Sequence, residues 1–393
     1  MTTNHTESTE KLKARAKDLY SAAEERILSL SHRIHANPEL GLREVQASQW
    51  VADQLREVPG ARVEHGLGSL PTAVRAEAGS GDLLLTVCAE YDALPDVGHA
   101  CGHNIIAASA VGAFTILAQL ADDLGITVRL LGTPAEETMG GKITLMDEGF
   151  FDGTHAAMMI HPGNKDQATM RPYACSGYRV IYRGRSAHAS AEPYKGINAL
   201  DALTVAMTSI GLARQQLHPH QQIHGCVLRA GSAPNVIPEL AEAEYMIRAD
   251  TVESLRDLEA TFRRCLEAGA LATGATLELE EEGSSYLSMR NDTRMSALFS
   301  ANSNELGRPL SEDVELGGST DMGNVSQRFP SIHPMLSLGE GAPDIHSPAF
   351  TEFAGSDRAD LAVRDGAVAM AWTCIDLATS PELRDELLSG KNF

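Results

Sequence analysis

Leu83-Leu84-Leu85-Thr86-Val87-Cys88-Ala89 is a short apolar run that leads directly into Glu90-Tyr91-Asp92-Ala93-Leu94-Pro95 and Gly98-His99-Ala100-Cys101-Gly102-His103-Asn104. A run this short and this apolar reads as a strand buried on both faces. The turn-rich residues behind it then fall at the strand's carboxyl end, where open α/β sheets place their sites. Working outward, the pattern repeats. Residues 104–120 read as a long apolar helix, 126–131 as a second buried run, 142–148 as a helix and 156–160 as a third run. Upstream, after a loose tail to about Ser8, the residues Leu12, Leu19, Ala22, Ile27, Leu30 and Ile34 recur at roughly helical spacing. Asn37-Pro38 stops that helix, and another follows over 44–58. Short apolar strands alternating with helices predict an α/β fold, a mostly parallel sheet with helices on both faces.

The pattern changes after Thr169. Residues 177–182 read as a strand, 197–217 as a helix, 222–230 and 241–249 as strands, 252–270 as a helix and 275–281 as a strand. That β-α-β-β-α-β order is the ferredoxin-like split unit. After Met289 the helix and strand alternation resumes, ending in a helix over 356–378. The expected organisation is a discontinuous catalytic domain, 1–173 and 289–393, with an α+β domain inserted at 174–288.

The chemistry-bearing residues cluster at the ends of the apolar runs. His99, Cys101 and His103 alternate, so an extended segment would point all three to one side. Thiolate and imidazole suit zinc, although a core cysteine between surface histidines would look the same. The second run ends in Gly132-Thr133-Pro134-Ala135-Glu136-Glu137. One of two adjacent carboxylates can ligate a metal while its neighbour serves as general base. The bland alternative is a solvated helix start after a proline, which favours Glu anyway. His161 follows the third run, and Asp344-Ile345-His346-Ser347-Pro348 adds a loop histidine. Each signal is weak alone. Successive strands delivering ligand-type residues at the same end are harder to dismiss.

Composition narrows the classes. The formal net charge is −21, from 32 Lys and Arg against 53 Asp and Glu. Such a surface argues against nucleic acid and anionic membranes as partners. The first thirty residues show no apolar signal segment, and no apolar run approaches the ~20 residues of a membrane span. Six cysteines, scattered and without scaffold spacing, fit a reducing cytoplasm.

Taken together, the chain resembles the dinuclear metallopeptidases that include aminoacylases, carboxypeptidase G and auxin-conjugate amidohydrolases. Within them it most resembles the aminobenzoyl-glutamate hydrolase and Xaa-Arg (β-alanyl-lysine) dipeptidase subgroup. The resemblance runs from His32-Arg33-Ile34-His35-Ala36-Asn37-Pro38-Glu39 almost to the C-terminus. It is carried by Asp92-Ala93-Leu94-Pro95, Cys101-Gly102-His103, the Thr133-to-Glu137 block, Ser186-Ala187-His188 and Asn235-Val236-Ile237-Pro238.

The resemblance implies roles. Cys101 stands where the family places a bridging metal ligand, and His103, Glu137, His161 and His346 match the other ligands. Glu136 matches the general base. Asp92 would steady a ligand imidazole. From the inserted domain, His224 matches an oxyanion-stabilising residue. Asn235 and Arg248 match groups that hold a substrate carboxylate; the bland alternative for Arg248 is an exposed strand charge. Gly317-Gly318-Ser319-Thr320-Asp321 matches a Gly-rich loop beside the substrate, with Ser319 and Thr320 as contacts. His188 is read as support for its turn, and His155, His218 and His220 as surface residues. Two departures, Glu90 and Asn104 where many relatives carry Asp, leave the preferred metal open.

The implied activity is hydrolysis of an amide bond in a small dipeptide or N-acyl amino acid bearing a free carboxylate. Two divalent ions, zinc or manganese with cobalt as a further candidate, would serve as cofactors. A homodimer through the inserted lid is implied, with His224 acting in its own or the partner's site. Rivals are an aminobenzoyl-glutamate-type aryl amidase, a catalytically dead scaffold and a zinc-stabilised structural domain. Retention of Glu136 opposes the scaffold, and five candidate ligands fit a closed four-ligand structural site poorly.

Overall fold

The computed structural model describes residues 2–312 and 314–390. They form two compact units, Met1–Met170 with Met289–Glu315 and Asp321–Phe393, and Arg171–Ser288 with Leu316–Thr320.

The first unit carries strands β1 (Arg62–Leu67), β2 (Leu70–Gly79), β3 (Leu83–Ala89), β4 (Ile126–Gly132), β5 (Ala156–Met158) and β6 (His161–Gly163). The second carries β7 (Ala174–Arg183), β8 (Gln222–Ala230), β9 (Leu240–Ala249) and β10 (Thr276–Tyr286), and the chain returns to the first with β11 (Ser331–Ile332) and β12 (Met335–Ser337). Six strands pair in the order β1-β2-β4-β3-β5-β11. The pairs β4-β3, β3-β5 and β5-β11 are parallel, whereas β1 and β2 join antiparallel. β6 and β12 form a separate parallel ladder.

Both faces of this sheet are covered, which is why its strands read as continuous apolar runs. Leu83, Leu85, Val87 and Ala89 of β3 face one core, shared with Ile105, Phe114 and Trp372. Cys88 and, from β4, Leu131 face the other, with Leu145, Phe151 and Val325. The helix His103–Leu124 is apolar nearly all round because it is buried nearly all round.

Several boundaries differ from expectation. The first helix spans Thr2–Ala36, so the expected tail is helical from Thr2, while Met1 lies outside the described residues. The third run stops as a strand at Met158, and His161 opens β6 instead. The hairpin β1–β2 was not anticipated at all.

In the second unit the order β10-β7-β9-β8 is antiparallel throughout. The helices Ala199–Ala213 and Val252–Thr273 pack on one face through Leu203, Ile210, Leu258 and Phe262. Both start at a side-chain cap, Asn198 and Thr251, each accepting from the first turn's amides.

Candidate metal centre

Parallel pairing sets the carboxyl ends of β4, β3, β5 and β11 side by side, with Ala89 against Gly132 and Ile332 against Met158. Glu136 and Glu137 follow β4, Glu90 and Asp92 follow β3, His161 follows β5 and His333 follows β11. The loops converge. Cys101, His103 and His161 offer ligand atoms within 4.8 Å of one another, and so do Cys101, Glu137 and His346. Cys101 belongs to both groups. All five sequence-predicted ligands are therefore brought together within the first unit.

Individual contacts show how the groups are aimed. Cys101 Sγ lies 3.4 Å from His161 Nε2. His103 Nδ1 is 3.0 Å from Asp92 Oδ1, which leaves Nε2 pointing inward, 3.5 Å from Glu90 Oε2 and 3.8 Å from Glu137 Oε1. His346 Nε2 is 3.4 Å from Glu137 Oε1. Three buried atoms on three residues, His103 Nε2, Glu137 Oε1 and Glu90 Oε2, have no hydrogen-bond partner. Leaving them so is costly, and a cation among them removes the cost. The donor set of thiol, imidazole and carboxylate therefore fits divalent metal.

The neighbouring glutamates are driven apart. Burial raises the proton affinity of Glu136, and the charges of Glu90, Asp321 and Glu137 raise it further. Burial also acts to raise Glu137, but the neighbouring imidazoles of His346, 3.4 Å away, and His103 outweigh it and pull Glu137 below the usual range. A pair split in this way is the pattern of one permanent anion and one proton carrier. Burial pushes the Cys101 thiol well up, so a thiolate there needs a cation beside it.

Two glycines overturn the reading of 99–103 as extended. Gly98 and Gly102 take left-handed φ of 68° and 74°. The turn sends His99 away from the ligands to stack on His35, ring centroids 6.3 Å apart. His155 is not a plain surface residue either, since its Nδ1 accepts the Leu84 amide at 3.0 Å. His188 accepts the amides of Ser190 and Ala191, as a turn-supporting residue would.

Sequence reading missed a layer behind the ligands. Lys142, fully buried, donates to Glu90 and, at 2.7 Å, to Asp321. Asp321, expected in the substrate-side loop, is thus committed to the first unit's interior, where it also accepts the Lys142 amide at 3.0 Å. His333 is fully buried, its ring 5.6 Å from that of His161. A lone lysine before the apolar Ile143-Thr144-Leu145-Met146 was the available signal for Lys142; none marked His333.

In the second unit, Arg248 Nη1 donates to Ser319 Oγ at 2.8 Å. Gln222 lies opposite Arg248, and His224 opposite Met246, so the four share the sheet face away from the helices. His224 is exposed and within 3.1 Å of Gln222 Oε1. Asn235 is exposed, with its carbonyl accepting the Ala189 amide, and Thr320 is buried.

Comparison with known proteins agrees with this geometry. Residues 87–357 match Peptidase family M20/M25/M40. A mouse Xaa-Arg dipeptidase is 38% identical over 392 residues, covering 95% of this chain and 90% of the relative. A p-aminobenzoyl-glutamate hydrolase component from Escherichia coli is 29% identical over 325 residues, 76% of this chain and 66% of the relative. Among solved structures, a dinuclear metal-binding M20 peptidase of Bacillus subtilis superposes with a TM-score of 0.71 at 22% identity, covering 92% of this chain and 99% of its own. The chain belongs to Peptidase family M20/M25/M40 and is a metal-dependent peptidase or amidohydrolase acting on small substrates.

Proposed function

We propose that this M20/M25/M40 family member hydrolyses the amide bond of a small dipeptide or N-acyl amino acid that carries a free carboxylate. The observation that carries the reading is the pair Glu136–Glu137, adjacent in sequence and opposite in proton affinity, beside two ligand groups that share Cys101.

Cys101, His103, Glu137, His161 and His346 would hold two divalent ions, with zinc favoured by the thiol and imidazoles and manganese or cobalt as alternatives. Bound there, the ions would supply Lewis acidity for water activation and for the oxyanion. Glu136 takes the proton of the attacking water and delivers it to the leaving nitrogen as the C–N bond breaks, so amide and water become acid and amine. Asp92 keeps His103 in one orientation through Nδ1. Arg248, with Ser319 and Asn235, reads the substrate carboxylate, Thr320 lines the same loop, and His224 meets the oxyanion. The mouse relative's name makes dipeptides ending in arginine the first substrates to try. Aminobenzoyl-glutamate is the second, by the bacterial relative.

The decisive experiment compares two isosteric changes. Glu136→Gln is expected to keep its metal while kcat falls ~10²–10⁴-fold, and Glu137→Gln to lose metal. The reverse result sinks the assignment. A panel of dipeptides, N-acyl amino acids and aminobenzoyl-glutamate with added Zn, Mn or Co identifies substrate and ion.

We extend the proposal to a homodimer in the cytoplasm. β8 is an edge strand exposed over six consecutive positions, with Val227 and Leu228 open, and an exposed edge is a liability that a second copy covers. All six cysteines are free, as a reducing compartment requires. A monomer in light scattering, or recovery of the protein outside the cytoplasm on cell fractionation, would count against each part.

A further inference from the structure

Both catalytic-side loops rest on one short segment, residues 39–44. Its Glu39 carbonyl accepts the Ala93 amide at 2.8 Å, and Leu40 bridges Ala93 in parallel. Gly41 lies so close to the other loop that a Cβ there would meet Thr138 Oγ1 at 2.7 Å and Ala135 Cα at 3.1 Å. At the segment's end stands Glu44, the residue before the helix Val45–Arg56. A carboxylate in that place ordinarily caps its own helix. Here Glu39 takes that task, accepting the amides of Gln46 and Ala47 at 2.9 Å each. Glu44 is left to turn inward.

Its side chain is fully buried and committed at both oxygens. Oε1 accepts the Ala135 amide at 2.8 Å, and Oε2 accepts Thr72 Oγ1 at 3.1 Å. The Thr72 carbonyl in turn accepts the Tyr91 hydroxyl at 2.5 Å. A hydrogen-bonded chain therefore runs from Tyr91, between Glu90 and Asp92, through β2 to Ala135.

Ala135 is the pivot of the Glu136–Glu137 turn. It holds a left-handed φ of 61°, a conformation that costs any residue with a Cβ. Its carbonyl accepts the amides of Met139 and Gly140 at 3.1 and 3.0 Å, which closes the turn around the two glutamates. A strained residue persists only where its surroundings over-determine it. The partner of its amide is Glu44.

We infer that Glu44 is a positioning residue for Glu136 and Glu137, acting by its hold on the left-handed Ala135. The inference rests on the proposed roles of those two glutamates. A role in packing alone predicts a loss of stability. A positioning role predicts in addition a loss in kcat that relief of strain at Ala135 restores.

The test uses the metal-loaded full chain with Glu44→Ala, alone and combined with Ala135→Gly. Glu44→Ala is expected to speed hydrogen exchange at the amides of 135–140. It should lower kcat roughly 10–100-fold, the usual scale for a lost support behind a metal site, with KM nearly unchanged because substrate contacts are untouched. Ala135→Gly, which reaches the same φ without strain, should recover most of that loss in the double variant. Glu44→Gln keeps an acceptor for the Ala135 amide and should stay near wild type. Unchanged exchange in folded Glu44→Ala overturns the inference, as does a kcat loss that Ala135→Gly leaves in place. Should Glu44→Ala fail to fold, Thr72→Val frees one oxygen only and is expected to show a smaller loss with the same rescue. Faster exchange with unchanged kcat leaves Glu44 a packing role alone and also overturns the inference, whereas failure of Glu136→Gln to lower kcat counts against the proposed base.

Discussion

Asp92 serves His103 and Glu137 at once: one oxygen meets His103 Nδ1 at 3.0 Å, and the other accepts the Glu137 amide at 3.1 Å. A single carboxylate thereby fixes the orientation of an imidazole and the backbone of a carboxylate. The two ligand atoms so placed, His103 Nε2 and Glu137 Oε1, lie 3.8 Å apart.

Asp92→Asn should therefore weaken metal affinity ~10–100-fold while leaving all five ligands in place. Burial opposes a charged His103, and the Asp92 carboxylate overrides it, so the change also removes part of what makes that ring basic. Competition with a chromophoric chelator measures the affinity. Unchanged binding would mean that His103 is oriented by its surroundings without Asp92.

Arg248→Ala should penalise substrates with a free carboxylate far more than their C-terminal amides. A charge-assisted hydrogen bond contributes about 1.5–3 kcal/mol, so the loss in kcat/KM for the acid should be on the order of 10–100-fold. Arg248 already donates to Ser319 at 2.8 Å, which pre-sets the guanidinium. Arg248→Lys should recover little, because an ammonium lacks the planar fork. Equal losses for acid and amide would place Arg248 outside substrate recognition.

Lys142→Met should be strongly destabilising. Lys142, Glu90 and Asp321 are all buried, and the ammonium is the counter-charge to both carboxylates. Removing one partner of a buried ion pair costs about 3–5 kcal/mol, because the other charge is left behind. Adding Asp321→Asn should then restore part of the stability, a coupling that a double-mutant cycle in urea reads directly. Full stability of Lys142→Met would show that neither carboxylate is charged beside it.

The core strands were legible because both their faces are buried. β3 has the bounds its apolar run predicts, and β8 has its predicted bounds too, although it is an exposed edge strand. The hairpin β1–β2 was not, because Arg62, Glu64 and His65 interrupt the pattern and only one side of β1 is covered. Four of the candidate ligands, Cys101, His103, Glu137 and His161, were legible as residue types after apolar strands, and His346 as a loop histidine matched by the family resemblance. The direction of His99 was not, since it depends on two glycines whose left-handed φ the sequence permits but does not require. His333 and Glu44 carried no sequence signal and Lys142 only a faint one, for another reason. Each is defined by a long-range partner or neighbour: Asp321, His161 and Ala135. A single buried polar residue carries no period to detect.

Glu44 also gives a pH-dependent prediction whose sign is fixed. Burial raises its pKa to about 7 from an ordinary 4.5, with the Asp92 charge adding to the shift and the hydrogen bonds from Ala135 and Thr72 opposing it. Asp92 and Tyr91 are the ionisable groups that face it. The folded protein thus holds this proton more tightly than the unfolded chain. Between about pH 4.5 and 7 the folded state binds more protons, so stability contributed by protonated Glu44 is complete below 4.5 and is lost as pH rises through 7. The loss amounts to roughly 3 kcal/mol, from 1.36 kcal/mol per pKa unit. Glu44→Gln keeps an acceptor for Ala135 and cannot ionise. Relative to wild type it should therefore gain stability from about pH 5 to pH 7 and level off above that. Thermal melts of both proteins in chelator read the difference, since without metal the titration of its ligands is common to both and cancels. A difference that stays flat across that range would mean Glu44 ionises in its ordinary range, and a difference that moves the other way would mean its carboxylate is stabilised in the fold.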